Sequence, residues 1–355
     1  MSAPETAVGP LAHDLLARLV AIDSRNPVLA AGAPGERAIV EMIAGFLRDA
    51  GLEVSLVGDP NRPSVVGRLR GTGAGRSLLL NGHIDTVGFG GMADPTTPRI
   101  AEGRLYGRGA YDMKGGVAAM LAAAATLAAG PPLRGDLLVT AVADEEHASL
   151  GTQAVVTHLA AAGLTAHGAI VTEPTDLDVC IAHKGFVWAT ITSQGRAAHG
   201  SRRADGVDAI AHMGRVLVAL EALDAELQTR PAHPLLGHAS LHASLISGGT
   251  ELSTYPAQCE LQIERRTLPS ETPDSVVTEI KAILDRCRAA DAAFRAEAVL
   301  TLDRPPLETA ADDLLVTALL AAAQEQGGTP TLTGATFWMD AALLGAAGIP
   351  AVAFG

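Results

Sequence analysis

Apolar residues recur along the chain at two different periods, and each period predicts a different element. Spacings of three and four residues, typical of a helix with one buried face, run through Leu11–Ile22 and Glu36–Ala50. Short apolar runs predict buried strands at Ser64–Leu69, Ser77–Leu80 and Asp136–Ala143. The other elements predicted in this part are a strand at Leu52–Val57, an alanine-rich helix after Gly115-Gly116, a helix at Thr152–Ala162 and a strand at Ala169–Thr172.

From about residue 182 the pattern changes to long strands rich in β-branched residues. The predicted strands are Gly185–Ser193, Ser240–Ser247, Gln258–Thr267 and Phe294–Leu300, and the predicted helices are Val207–Leu227 and Ser275–Ala289. The order βαββαβ is that of the ferredoxin-like split βαβ fold. A helix at Leu314–Ala323 and a strand at Pro350–Phe354 resume the earlier style.

Two domains are therefore predicted, one inserted into the other. The first is an α/β domain with a central mixed sheet flanked by helices, over residues 1–181 and 300–355. The second is the βαββαβ domain, over residues 182–299. A length of 355 residues agrees with this division, because single cores rarely grow so large.

Composition narrows the classes of partner. The chain is 48% hydrophobic and 18% charged, with a net charge of −13 and no dense basic cluster, so we expect neither a nucleic-acid nor a membrane partner. The first residues carry no basic and apolar segment typical of a signal peptide. The three cysteines lie far apart, so we expect free thiols and a cytoplasmic protein.

Polar residues that suit a metal site follow several predicted strands. His83 and Asp85 come directly after the apolar run Ser77–Leu80. Residues two apart on an extended chain point to the same side, so one can bind a metal while the other orients it. Taken alone, this spacing is better explained by a chance polar pair.

Four carboxylates occupy comparable positions. Asp112 lies between glycines before a helix, Glu145 and Glu146 end a buried run, and Glu173 precedes a proline. The alternatives are a helix cap for Asp112, a solvated charge pair for the two glutamates and a surface turn for Glu173. Together with His83 they supply the ligands of a catalytic zinc site, a bridge for two metals and a base for the attacking water.

The motifs formed by these residues resemble a family. It is the metallo-amidohydrolase and exopeptidase family of acetylornithine deacetylase, succinyl-diaminopimelate desuccinylase, aminoacylase and glutamate carboxypeptidase. The similar segments are Asn-Gly-His-Ile-Asp-Thr-Val (81–87), Gly-Arg-Gly-Ala-Tyr-Asp-Met-Lys-Gly-Gly (107–116), Asp-Glu-Glu (144–146), Thr-Glu-Pro-Thr (172–175), Ala-His-Gly-Ser (198–201) and Glu-Arg-Arg-Thr-Leu-Pro (264–269). The resemblance covers nearly the whole chain.

The resemblance implies a role for each matching residue of the metal site. His83 and Glu173 would bind one metal, Glu146 the other, and Asp112 would bridge them. Glu145 would be the general base that takes a proton from a metal-bound water and delivers it to the leaving amine. The resemblance implies two zinc ions, with cobalt or manganese as alternatives. Asp85 would orient His83.

The inserted domain resembles the lid through which members of this family dimerise. By that resemblance, His199 would reach the active site of a partner subunit and polarise the scissile carbonyl. Arg266 would bind the substrate carboxylate with its planar guanidinium. The alternatives are an ordinary loop residue for His199 and a surface charge at a strand end for Arg266.

One part of the family pattern is missing. A histidine that binds metal is expected soon after a Phe-Gly-like strand end, and the sequence stops at Phe354-Gly355, with Asp340 at the matching Thr-Asp-Ala-like segment upstream. We expect a truncated version of a longer product. The alternatives are a natural protein with a weak second metal site and an inactive member of the family. In each case the metal on Glu146 would be the less firmly bound.

The predicted function is metal-dependent hydrolysis of an amide bond in an N-acyl amino acid, by deacylation similar to that of acetylornithine deacetylase. A dipeptidase or carboxypeptidase acting on short peptides is the alternative among enzymes. A non-catalytic dimeric binding protein is the alternative of another class. We expect a homodimer that acts on a small molecule.

Overall fold

The computed structural model describes residues 5–355, and two compact units can be distinguished by their internal contacts. The first unit contains the described residues up to Ile181, together with Thr309–Thr333 and Met339–Gly355. The second contains Ala182–Glu308 and Gly334–Trp338. The second unit thus extends past residue 299, because its last long strand runs on to Arg304.

The elements of the chain are as follows. The helices are α1 (Glu5–Val20), α2 (Arg37–Asp49), α3 (Gly115–Ala128), α4 (Leu150–Ala162), α5 (Ala209–Leu227), α6 (Pro273–Ala290), α7 (Leu314–Glu325) and α8 (Ala341–Ala346). The strands are β1 (Glu53–Asp59), β2 (Arg62–Leu69), β3 (Leu78–His83), β4 (Arg99–Ala101), β5 (Arg104–Tyr106), β6 (Leu137–Val142), β7 (Ala169–Val171), β8 (Val179–His183), β9 (Gly185–Gln194), β10 (Ser240–Gly248), β11 (Gln258–Thr267), β12 (Arg295–Arg304), β13 (Leu307–Glu308), β14 (Leu332–Ala335) and β15 (Ala351–Ala353).

The first unit is built on a mixed sheet. Its strands follow the order β1-β2-β6-β3-β7-β15-β8. The central strands β6, β3, β7 and β15 run parallel, whereas β1, β2 and β8 are antiparallel to their neighbours. β6 is buried along its whole length, as its unbroken apolar run predicts for a strand covered on both faces.

Helices cover this sheet, and α1, α2 and α3 share one core with its central strands. Leu15, Ile43 and Leu121, one from each of these helices, are fully buried in that core. Lys114, just before α3, donates from its buried Nζ to the carbonyl oxygens of Leu19 and Ile22. These carbonyls lie at the end of α1 and just beyond it, so the lysine places a charged donor where the helix ends.

The second unit is a four-stranded antiparallel sheet in the order β10-β11-β9-β12. Its helices α5 and α6 pack with these strands in a single core, to which Met213, Leu261 and Ile280 contribute. Residues of β11 alternate between buried and more exposed positions, as expected for a sheet with one covered face. The predicted α/β domain with a central mixed sheet and the inserted βαββαβ domain are both confirmed.

Several short elements were not expected from the sequence. β8 is a fully buried strand, and its last two residues pair with β13 inside the second unit. β4 and β5 form a small hairpin, and β14 pairs with β8. Among the described helices, none combines the length and the apolar character that crossing a lipid bilayer requires.

A close approach between α3 and β7 gives the first prediction. A Cβ on Gly116 would lie 1.9 Å from the carbonyl oxygen of Thr172. This oxygen is a backbone atom, so no side-chain rotation can relieve the clash. We expect Gly116→Ala to lower the free energy of unfolding by about 1–3 kcal/mol through overpacking. Gly45→Ala is the matched control, because Gly45 lies inside α2 with open space where its Cβ would be. It should leave stability unchanged or raise it by about 0.5–1 kcal/mol.

Chemical denaturation of both variants in parallel measures the difference. Equal unfolding free energies for Gly116→Ala and Gly45→Ala would contradict the close contact between the start of α3 and the end of β7.

Candidate metal centre

Three parallel strands bring the predicted residues to one edge of the sheet. β3 pairs in parallel with β6 on one side and with β7 on the other, so their carboxyl ends lie together. His83 is the last residue of β3, and Glu145 and Glu146 follow β6 after a short turn. Glu173 comes two residues after β7. Strand order thus assembles residues that are far apart in sequence.

The distances between side chains show a tight cluster. His83 Nε2 lies 3.0 Å from Asp112 Oδ1 and 3.7 Å from Glu173 Oε1. Ligand atoms of His83, Asp112 and Glu146 lie within 4.8 Å of one another, and so do those of His83, Glu145 and Glu173. The structure therefore brings together all five residues predicted as metal ligands or general base.

The tautomer of His83 suits metal binding. Its Nδ1 lies 3.1 Å from the carbonyl oxygen of Asp85. Since a carbonyl oxygen only accepts hydrogen bonds, Nδ1 carries a proton. Nε2 faces the carboxylates, so it donates to Asp112 when it is protonated and can bind a metal when it is not. The ring itself is buried, so its orientation is set by this contact and by the surrounding packing.

Asp85 contacts the turn that carries the two glutamates as well as His83. Its Oδ1 is 3.6 Å from His83 Nδ1, which is too long for a hydrogen bond. The same carboxylate accepts hydrogen bonds from the backbone N–H groups of Glu145 (3.1 Å) and Glu146 (3.3 Å). Asp85 therefore joins the end of β3 to the glutamate turn, a contact that the spacing of His83 and Asp85 did not reveal.

The cluster holds more negative charge than its single imidazole balances. Burial raises the pKa of Glu146 to about 7 and that of Glu173 to about 8, although the charge of His83 opposes both shifts. Burial also raises the pKa of Glu145 well above its ordinary range. The pKa of His83 is raised, because Glu173 and Asp112 outweigh the effect of its burial. Asp112 is half-exposed, and the hydrogen bond from His83 lowers its pKa.

These residues fit a metal centre. Carboxylate oxygens and a neutral imidazole nitrogen are the ligands that zinc prefers beside thiolates. A divalent cation would oppose the burial and the repulsion that raise the carboxyl pKa values, because an opposite charge favours the ionised forms. The excess of acids around His83, of which Glu173 is buried and Glu145 and Glu146 are half-buried, is therefore the feature that points to a cation.

Further buried polar residues lie around the cluster. They do not follow the strands from which the candidate site residues were predicted. Asp340 accepts a hydrogen bond from Thr152 (2.8 Å), and its charge contributes to the raised pKa values of Glu145 and Glu173. Asn26 donates to Asp85 (2.8 Å) and to Asp144 (3.0 Å). Asn26 lies four residues after the predicted helix Leu11–Ile22 and belonged to none of the motifs.

The two residues expected from the lid motifs lie in the second unit. His199 is exposed, and its Nδ1 lies 2.8 Å from Ser201 Oγ. Arg266 donates from Nε to Glu264 (2.6 Å), and its guanidinium lies 5.3 Å from the ring centre of Phe186. Their roles toward carbonyl and carboxylate stay predictions.

Comparisons with known sequences identify a family. Residues 79–355 match the sequence profile of peptidase family M20/M25/M40. An acetylornithine deacetylase of Proteus mirabilis is 31% identical over 269 residues, which are 74% of this chain and 68% of that protein. An acetylornithine deacetylase of Myxococcus xanthus is 31% identical over 318 residues, covering 87% of this chain and 78% of that protein.

Solved structures share the fold. A tripeptidase of Staphylococcus aureus superposes with a TM-score of 0.76 at 18% identity, covering 98% of this chain and 89% of that chain. A peptidase of Bacillus subtilis, described as binding a dinuclear metal centre, superposes with a TM-score of 0.71 at 16% identity. The alignment covers 98% of this chain and 88% of that chain.

The raised carboxyl pKa values predict how pH affects the metal-free protein. A carboxyl group whose pKa is higher in the folded state contributes stability at low pH that is lost as pH rises. Glu146 and Glu173 should therefore destabilise the metal-free fold increasingly from pH 4.5, their ordinary pKa, to about pH 8. Glu173→Gln should weaken this dependence and raise the melting temperature at pH 8.

Thermal unfolding in a chelator, from pH 5 to pH 9, measures the effect. Glu41→Gln is the control, because Glu41 is an exposed residue of α2. Added zinc should raise the melting temperature of the parent at pH 8 far more than that of Glu173→Gln. A metal-free protein that becomes more stable between pH 5 and pH 8 would contradict the assigned shifts.

Proposed function

The chain belongs to peptidase family M20/M25/M40, and from that membership and its site we propose that it hydrolyses the amide bond of an N-acyl amino acid. At the level of the family, it is a metallo-hydrolase. The observation that carries the proposal is the convergence of Glu145, Glu146, Glu173 and Asp112 on the Nε2 side of His83.

We assign zinc as the metal, with cobalt or manganese as alternatives. His83 and Glu173 would hold one ion, Glu146 would hold the other, and Asp112 would bridge them. When bound, such ions polarise the amide carbonyl and lower the pKa of a water molecule. Asp85 would keep the ligands aligned through its contacts with the His83 ring and the glutamate backbone.

Glu145 is assigned as the general base. It is partly buried among acids, and its burial raises its pKa, which makes its carboxylate a stronger base. It takes a proton from the attacking water as the new C–O bond forms. It then delivers that proton to the amide nitrogen as the C–N bond breaks, which leaves a carboxylic acid and a free amine.

Arg266 and His199 are assigned to the substrate. Arg266 has a planar guanidinium suited to a carboxylate, although Glu264 already contacts its Nε and Nη2. We propose that the substrate carboxylate competes with Glu264 for this arginine. His199, exposed on its loop, would polarise the scissile carbonyl in the site of a partner subunit.

We propose acetylornithine deacetylase-like deacylation as the first choice. Relatives with that name support it. A dipeptidase or carboxypeptidase is the alternative among enzymes. Solved peptidases that share the fold are the reason to keep this alternative. A non-catalytic binding protein that keeps the fold is the alternative of another class. Metal content and hydrolysis of a panel of dipeptides and N-acetyl amino acids distinguish the three.

A homodimer through the second unit is part of the proposal. β10 is an edge strand of its sheet, and Leu245 and Ile246 on it are 65% and 54% exposed. Val218 on α5 is 67% exposed. An exposed apolar edge of this kind favours pairing with a second chain. We also propose a cytoplasmic location, in which the buried cysteines stay reduced.

The general base gives a direct test. Glu145→Gln should lower kcat for N-acetyl amino acids by about 10²–10⁴-fold, because the glutamine cannot accept the proton. Its zinc content should equal that of the parent, since Glu145 is not assigned as a ligand. Glu41→Gln serves as the control and should keep full activity. Hydrolysis by Glu145→Gln at the parental rate would show that another group is the base.

The carboxylate contact gives a second test. Arg266→Lys loses the planar two-pronged donor, so we expect KM for an N-acetyl amino acid to rise about 10–100-fold. The α-carboxamide of the same compound should show no such rise, because it lacks the carboxylate. Arg215→Lys is the control, since Arg215 pairs with Asp291 on the surface of the second unit. An equal rise in KM for acid and amide would refute the contact.

A further inference from the structure

A chain of buried polar contacts lies beneath Glu145 and Glu146 and reaches residues of three distant segments. Arg62, the first residue of β2, donates to Glu36, which precedes α2, and to Asp144 (2.7 Å). Asn26 donates to Asp144 and to Asp85. Asp85 in turn accepts the backbone N–H groups of both glutamates.

Asn26 is held in one orientation. Its Oδ1 accepts the N–H of Val28 (3.0 Å), so its Nδ2 must face the two carboxylates. Its backbone N–H donates to the carbonyl oxygen of Thr86 (2.8 Å), in the loop that follows His83. The side chain is fully buried. Both donor hydrogens of the amide are thus used, one on Asp85 and one on Asp144.

Arg62 supplies the positive charge of this chain of contacts. Glu36 and Asp144 are buried, and the guanidinium contacts both of them at once. Without it, Asp144 and Asp85 would be two carboxylates sharing one uncharged amide in a site already rich in acids. The guanidinium therefore holds both carboxylates in place with charged hydrogen bonds, which are shorter and stronger than those between neutral groups.

Asp144 transmits this arrangement to the backbone. Its φ of +69° is in the left-handed region, which few residues other than glycine adopt. Its carbonyl oxygen accepts from the N–H groups of Ala148 (3.0 Å) and Ser149 (2.5 Å), which closes a tight turn. Glu145 and Glu146 lie inside that turn, so the conformation of Asp144 sets the direction in which they leave the backbone.

We propose that Asn26 and Arg62 are positioning residues for the reaction. By fixing the carboxylates of Asp85 and Asp144, they set the direction of Glu145 and Glu146 toward His83. Neither residue touches the substrate or the metal. The inference rests on the proposed function only for its effect on turnover, since its effect on the metal site can be measured without a substrate.

The test uses two substitutions that leave the net charge unchanged. Arg62→Lys keeps the positive charge but cannot contact Glu36 and Asp144 with one planar group. Asn26→Ser removes the two-hydrogen donor. The matched control is Arg68→Lys, because Arg68 donates to Asp136 (2.7 Å) at the opposite end of the same two strands, β2 and β6. Zinc affinity is measured by calorimetry on each protein, with kcat, KM and the melting temperature alongside.

Both site variants should bind zinc about 10–100-fold more weakly than the parent and lose about as much in kcat. KM should stay within about threefold, because substrate contacts are untouched. Arg68→Lys should lose stability without losing zinc affinity. If Arg62→Lys does not fold, the same measurements on Asn26→Ser decide.

Zinc binding within about twofold of the parent in both site variants, or an equal loss in Arg68→Lys, would overturn the proposal. A parent that binds zinc but hydrolyses none of the substrates would refute the proposed function. The zinc affinities would still decide whether Asn26 and Arg62 position the site.

Discussion

Mutual repulsion among carboxylates that are partly or wholly buried is the constraint on which this site depends. Glu145, Glu146 and Glu173 lie around one histidine, and removing such charges from water is costly unless they are paired. The protein holds them there with the rigid ends of parallel strands and with backbone N–H donors. A bound cation would offset the free-energy cost of holding these carboxylates together, and such clusters of perturbed acids are typical of functional sites.

The order of the strands explains why much of this was predictable. The candidate residues follow strands, and carboxyl ends of neighbouring parallel strands meet at one edge. Periodicity alone predicted the helices and the βαββαβ order of the second unit, because each element there carries its own apolar face. His83 was expected just beyond its strand, whereas it is the last residue of β3.

Other features depend on tertiary contacts that no local pattern encodes. β8 is separated from β9 only by Lys184, so no turn signal in the sequence divides the two strands. Asn26, Arg62 and Asp340 are single polar residues whose side-chain partners lie 26 to 188 positions away. Nothing in their spacing distinguishes them from ordinary surface residues. The roles of His199 and Arg266 likewise came from motifs, since the side-chain hydrogen bonds of each go to a residue two positions away.

The contacts of Asn26 have a consequence for how the protein reaches its native state. Asn26 lies near the start of the chain, yet its partners Asp85 and Asp144 are 59 and 118 residues further on. Contacts between such distant residues carry a large loop-closure entropy and form late in folding. During synthesis from the N-terminus, the turn that carries Glu145 and Glu146 must emerge before Asn26 has both of its acceptors. The helices of this unit can therefore form well before Asn26, Asp85 and Asp144 come together to position Glu145 and Glu146.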